Sequence, residues 1–150
     1  MTCEWTLLLD ADTTEKVDGI CMSDLSGGEH REACGFLAGR VQDRQYVVQF
    51  PIPAANISDH DQATHYKISA SAFRHAEQYL QRQGVEIVGI YHSHPNGRAD
   101  PSQMDIDFFF PGWVYLIIGV SAAGVIERKA FRISDDTQRK VLPVDLQYHG

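Results

Sequence analysis

From Phe108 to Ile126 the chain runs for 19 residues without a charged side chain, and what this stretch becomes decides the class of fold. About 20 apolar residues can cross a bilayer as a helix. This run, however, carries Pro111-Gly112, Gly119 and Ser121-Ala-Ala-Gly124, residues that break helices and make turns. It therefore reads as a turn, a buried strand over Trp113–Val120 and a hairpin turn. A strand apolar on both faces needs cover on both sides of its sheet. At 150 residues the chain is expected to form a single domain, 1–150, large enough to bury a core without cross-links.

The flanking sequence supplies helices for that cover. Val17, Ile20, Cys21 and Leu25 fall at helical spacing, with Thr13 or Thr14 as N-cap and Gly27-Gly28 as the stop. A second apolar stripe, Ala72, Phe73, Ala76, Tyr79 and Leu80, lies between Ser69 as N-cap and Gly84 beyond the C-terminus. Strands are expected over Trp5–Leu9, Ala33–Val41, Tyr46–Phe50, Glu86–Tyr91, Gly124–Ile133 and Val141–Leu146. Pro51 and Pro53 close the third of these, and Ala54–Thr64 reads as a polar loop. Strands mixed with two main helices predict an α/β fold with a mixed sheet.

Composition removes several functions. Lys plus Arg number 13 against 20 Asp plus Glu, a net charge of −7 that repels phosphate backbones and anionic lipid, so neither nucleic acid nor membrane is an expected partner. Cys3, Cys21 and Cys34 include no C-x-x-C pair, which excludes a disulfide scaffold and the common zinc ribbons. The N-terminus has no basic segment followed by an apolar one, so the expected compartment is the cytoplasm.

The densest set of chemical groups follows the Glu86–Tyr91 strand: His92-Ser-His94-Pro-Asn-Gly-Arg-Ala-Asp100-Pro-Ser102-Gln-Met-Asp105. Alternate residues of a strand share a face, so His92 and His94 can aim two imidazoles at one point while Ser93 faces away. Two histidines and one carboxylate make the first shell of a catalytic zinc site, with a fourth position open. Asp100, Asp105 and Asp107 compete for the carboxylate, and spacing alone does not choose among them. Ser102 before Asp105 also has the form of a capped helix start. Glu32, the one acidic residue at an otherwise apolar strand entrance, suits a general base. Cys34 reads as a small buried side chain, and His30, His60, His65, His75 and His149 as singletons.

His92-Ser-His-Pro followed by Pro101-Ser-x-x-Asp105, with Glu32-Ala-Cys-Gly-Phe-Leu-Ala-Gly39 upstream, resembles the two-part signature of the JAMM (MPN-plus) metallopeptidases. Tyr66-Lys-Ile68 and the helix after it match the family layout. The resemblance runs from the first helix to the strand ending at Ile133. It implies a curved mixed sheet flanked by helices, of cytidine-deaminase-like architecture. It also implies Zn2+ held by His92, His94 and Asp105, Glu32 as general base, and Ser102 steadying the oxyanion. Small stand-alone prokaryotic members imply a substrate: a ubiquitin-like sulfur-carrier protein, cut after its C-terminal Gly-Gly. Such a tail is expected to bind extended beside exposed strand edges. Two other resemblances fit less of the chain. RadC-like DNA-repair-associated proteins share the His94-Pro-Asn-Gly97 flavour but not the Glu32 element. A catalytically silent MPN-type scaffold would lack the histidines or the base, and this sequence keeps them.

Overall fold

The computed structural model describes residues 4–26, 31–59 and 61–150. Seven strands and three helices follow in the order β1 (Thr6–Asp10), α1 (Ala11–Ser26), β2 (Cys34–Gln42), β3 (Gln45–Ala54), α2 (Ala70–Gln83), β4 (Glu86–His94), α3 (Gln103–Phe108), β5 (Val114–Ser121), β6 (Gly124–Ile133) and β7 (Val141–His149). The sheet is mixed, as the sequence predicts, with β4 and β5 parallel and β2 antiparallel to both β3 and β4. It does not stay open. Strand order β1-β3-β2-β4-β5-β6-β7 closes when β7 pairs in parallel with β1, so the curved sheet is a barrel.

The long uncharged run resolves into the end of α3, a turn at Pro111-Gly112, all of β5 and the start of β6. Every residue from Val114 to Val120 is buried. Val114, Leu116, Ile118 and Val120 join one apolar cluster with Val17, Cys21 and Leu25 of α1 and Leu7 and Leu9 of β1. Helix α1 packs against β1, β3, β4, β5 and β6, strands drawn from around the ring, so the sheet curls about this helix. On the other face Tyr115 packs with Phe109 and Ile133, while Leu80 of α2 packs with Ala38 and Val85. Period-two alternation thus divides one strand between two cores. No helix among the described residues is long and apolar enough to cross a membrane.

Helix α2 follows its sequence signals. Ser69 Oγ accepts from Ala72 N, and Gly84 closes the helix in the left-handed region at φ 69°, where a Cβ would be strained. Tyr79, read as part of the buried stripe, is 54% exposed and meets Phe50 edge-on. Helix α1 begins earlier than predicted. Asp10 Oδ1 accepts from Thr13 N at 2.7 Å, so Asp10 is the cap, and Thr13 is fully buried inside the helix. The proposed stop at Gly27-Gly28 lies outside the described residues.

One expectation fails for a topological reason. Pro51 and Pro53 do not end β3; pairing with β2 continues through both, opposite Leu37 and Gly35. Strand β1 reaches only Gln45–Val47, so the later part of β3 has no described second neighbour, and prolines missing a donor are tolerated there. At the site β2 pairs with β4 as far as His92, and β5 pairs with it from Gly89 to His94.

Closure also tightens the site's surroundings. Gly119 pairs with His94, and a Cβ there would run into the backbone of Gly97 and Arg98. Gly119→Ala is therefore expected to destabilise the protein by about 1–3 kcal/mol through overpacking, measured by urea unfolding, with Gly84→Ala failing separately through its positive φ.

Candidate metal centre

Strand β4 carries the centre. Tyr91 and Ser93 face the α1 core while His92 and His94 face the opposite side, all four buried. The two Nε2 atoms stand 3.2 Å apart. Asp105 Oδ2 lies 3.0 Å from His94 Nε2 and 3.2 Å from His92 Nε2. Asp105 reaches them from the first turn of α3, where Ser102 and Asp105 form a reciprocal capping box: Ser102 Oγ accepts from Asp105 N, and Asp105 Oδ2 accepts from Ser102 N. The cap fixes the helix that delivers the carboxylate. Asp100 points elsewhere and pairs with Lys129 at 2.7 Å. Asp107 is exposed and accepts from Gln103.

Glu32 completes the cluster from the segment just before β2. One ligand atom from each of Glu32, His92, His94 and Asp105 lies within 4.8 Å of the others, and all four residues are buried. Its carboxylate Oε1 has no hydrogen-bond partner. Burial, with the negative Asp105 nearby, pushes the Glu32 carboxyl up to about 9. Burial acts on Asp105 in the same direction, but hydrogen bonds from both histidines and from Ser102 N override it and hold that carboxyl well below the ordinary range. Burial lowers His92, opposed by its hydrogen bond to Asp105. Tyr66 stacks on the His92 ring with centroids 4.4 Å apart.

These donors fit a small tetrahedral cation. Nitrogen and oxygen ligands at 2.0–2.1 Å from zinc would stand about 3.3–3.4 Å apart at tetrahedral angles, close to the 3.0–3.2 Å separations of the three atoms. His94 Nδ1 lies 3.1 Å from Arg98 O, an arrangement that orients the ring with Nε2 facing inward. The Nδ1 of His92 is buried without a partner. Cys34 lies beside the centre, its thiol pushed up to about 12 by burial, which leaves it inert as a nucleophile. His75 is exposed, and the single such cluster among the described residues is the one containing Glu32.

The sequence reading misses the groups that hold Glu32. Ser93 Oγ accepts from Ala33 N at 2.8 Å, Gln62 O accepts from Glu32 N, and Asn56 Nδ2 donates to Glu32 O at 3.0 Å. An Asn-x-Ser turn was the available signal, since Asn56 Oδ1 accepts from Ser58 N. Beside the centre lies a cavity of about 470 Å³, lined by Ser58, His65, Tyr66, Ile68, Met104 and Phe108 among others. Of the aromatic run after α3, Phe109 is buried, while Phe108 and Phe110 are exposed and Phe108 borders this cavity.

Two measurements follow from the geometry. Asp105→Ala should lose zinc binding by elemental analysis, whereas Asp100→Ala and Asp107→Ala keep it; full occupancy in Asp105→Ala would exclude Asp105 as a ligand. In the metal-free protein, Glu32 is easier to protonate folded than unfolded. Its penalty is absent at pH 4, grows as pH passes 4.5, and levels off near 9. Glu32→Gln should therefore raise the metal-free melting temperature at pH 8 and leave it unchanged at pH 4, with a ceiling of about 1.4 kcal/mol per pH unit across that window.

Comparison with known proteins places the chain. Residues 18–134 match the family of prokaryotic homologs of the JAB domain. Over 112 residues the chain is 29% identical to a desampylase of Haloferax volcanii, covering 74% of this chain and 78% of that protein. Over 76 residues it is 37% identical to a probable TtuB-protein conjugate cleaving protease of Thermus thermophilus, covering 51% of this chain and 47%, about half, of that one. A solution structure from Desulfitobacterium hafniense superposes with a TM-score of 0.79 at 26% identity, over 96% of this chain and 93% of the other. One from Salinibacter ruber gives 0.65 at 27%, over 96% and 91%. With a family match across most of its length and this two-part motif in one buried cluster, the chain belongs to the prokaryotic JAB-domain family of JAMM type.

Proposed function

We propose that the protein is a zinc-dependent peptidase or isopeptidase that hydrolyses the bond after the C-terminal Gly-Gly of a ubiquitin-like sulfur-carrier protein. The observation that carries this reading is the buried group of Glu32, His92, His94 and Asp105, with an unpartnered Glu32 oxygen inside it. The names of two relatives, a desampylase and a conjugate-cleaving protease, support protein conjugates as the substrate class.

His92, His94 and Asp105 would hold the metal. Zinc bound there supplies Lewis-acid polarisation of the scissile carbonyl and lowers the pKa of water to about 7. Beside a divalent charge the Glu32 carboxyl ionises. It then takes a proton from water and hands it to the leaving amine. Ser102 Oγ accepts from Asp105 N, which leaves its own hydrogen to donate to the carbonyl oxygen as charge develops there. Ser102 thereby both caps α3 and serves the reaction. An extended tail lies in the cavity beside the centre lined by Tyr66, Ile68, Met104 and Phe108. Glycines bring no side chains to that narrow approach, but their ordering costs entropy, so affinity comes mainly from the folded body of the carrier.

Zinc-loaded protein incubated with a folded carrier ending in Gly-Gly-Xaa should release Xaa, read by mass spectrometry, and should cut the isolated tail peptide far more slowly. Glu32→Gln should retain zinc and lose cleavage; Ser102→Ala should retain zinc and lose about 10²–10³ in kcat. Wild-type cleavage by Glu32→Gln would remove the general-base assignment. Equal cleavage of the free peptide would remove the docking argument.

A further inference from the structure

We propose that Asn56 is a positioning residue for Glu32, an inference that rests on the reading of Glu32 as the base. The Glu32 Oε1 atom has no hydrogen-bond partner, so the reach of the carboxylate depends on how its main chain is held. Three contacts hold it. Ser93 Oγ fixes Ala33 N to the barrel; Gln62 O receives Glu32 N, and Asn56 Nδ2 donates to Glu32 O. The last of these acts on the peptide plane of Glu32 itself, from a residue 24 positions away.

The Asn56 side chain uses its full capacity of two donors and two lone pairs. Its Oδ1 accepts from Ser58 N and Lys67 N, at 3.1 and 3.2 Å, and its Nδ2 donates to Glu32 O and His65 O, both at 3.0 Å. The acceptor half, with the Nδ2 bond to His65 O, closes the loop locally. The Nδ2 bond to Glu32 adds nothing to that closure; it ties the loop lining the cavity to the base. Gln62 reinforces the tie, since Gln62 Nε2 donates to Asn56 O and Ser58 O while its own carbonyl holds Glu32 N. Substitution therefore grades the two roles, since the aspartate keeps two of the three bonds that close the loop and loses the tie to Glu32. Asn56→Asp keeps the acceptor half and removes the donors; Asn56→Ala removes both.

The test measures zinc content, melting temperature, kcat and KM on a folded Gly-Gly-Xaa carrier, and amide hydrogen exchange in the zinc-loaded variants. Asn56→Asp should keep zinc, speed exchange at the Glu32 and Ala33 amides, and lower kcat by about 10- to 100-fold with KM little changed. Asn56→Ala should show the same loss of kcat together with a raised KM, and it carries the expectation if the aspartate's charge disturbs folding. Placed on Glu32→Gln, Asn56→Asp should cause no further loss. Unchanged kcat in both variants, a fall in kcat with unchanged exchange, or a further loss on the Glu32→Gln background would overturn the proposal. Wild-type activity in Glu32→Gln alone would instead overturn the general-base reading.

Discussion

The alternation of side chains at the end of β4 is the constraint on which the rest of the site depends. Tyr91 and Ser93 are committed to the interior against α1, and both are fully buried. That commitment leaves His92 and His94 no choice of face. A one-residue slip of β4 would send the imidazoles into the apolar core and Tyr91 into the centre. The register is held on both sides, with Cys34 opposite His92 on one flank and Ile117 on the other. Ser93 adds a reciprocal pair with Ala33, N to O and N to Oγ, so the strand that aims the histidines also anchors the segment carrying Glu32.

Around that strand, each remaining group arrives by local chemistry. Asp105 comes on a helix of six residues, too short to be stable by propensity alone. Its capping box and its buried side chain do the work that length cannot. Glu32 sits outside any regular element, where its backbone groups must find partners one by one. The result is two carboxyls with opposed proton affinities in one cluster, Asp105 hydrogen-bonded and held low, Glu32 unpaired at Oε1 and pushed high. Such a separation is how one site divides metal binding from proton transfer.

Features governed by short-range patterns were legible in the sequence. Ser69, the apolar stripe and Gly84 define α2 without reference to the rest of the chain, and the uncharged run with its internal glycines defines β5 and the hairpin to β6. The histidines and Ser102–Asp105 share one short stretch, so their convergence could be read as well. Properties set by distant partners were not legible. Pro51 and Pro53 look like strand terminators until β1 is known to stop short of them. Thr13 looks like a cap until burial against β3 places it inside α1. Asn56 belongs to a polar loop in sequence, and its bond to Glu32 exists only once β2 and β3 have paired.

Ring closure also governs what other chains can do to this one. Open sheets offer rows of unsatisfied main-chain groups that invite pairing between molecules. Here the strand order closes on itself, and the stretch of β3 beyond β1, which has no described second neighbour, carries two prolines, Pro51 and Pro53. The closed ring thus presents little backbone on which an arbitrary extended chain could nucleate aggregation. Resistance to amyloid-like association and the fixed register of the histidine-bearing strand share one origin.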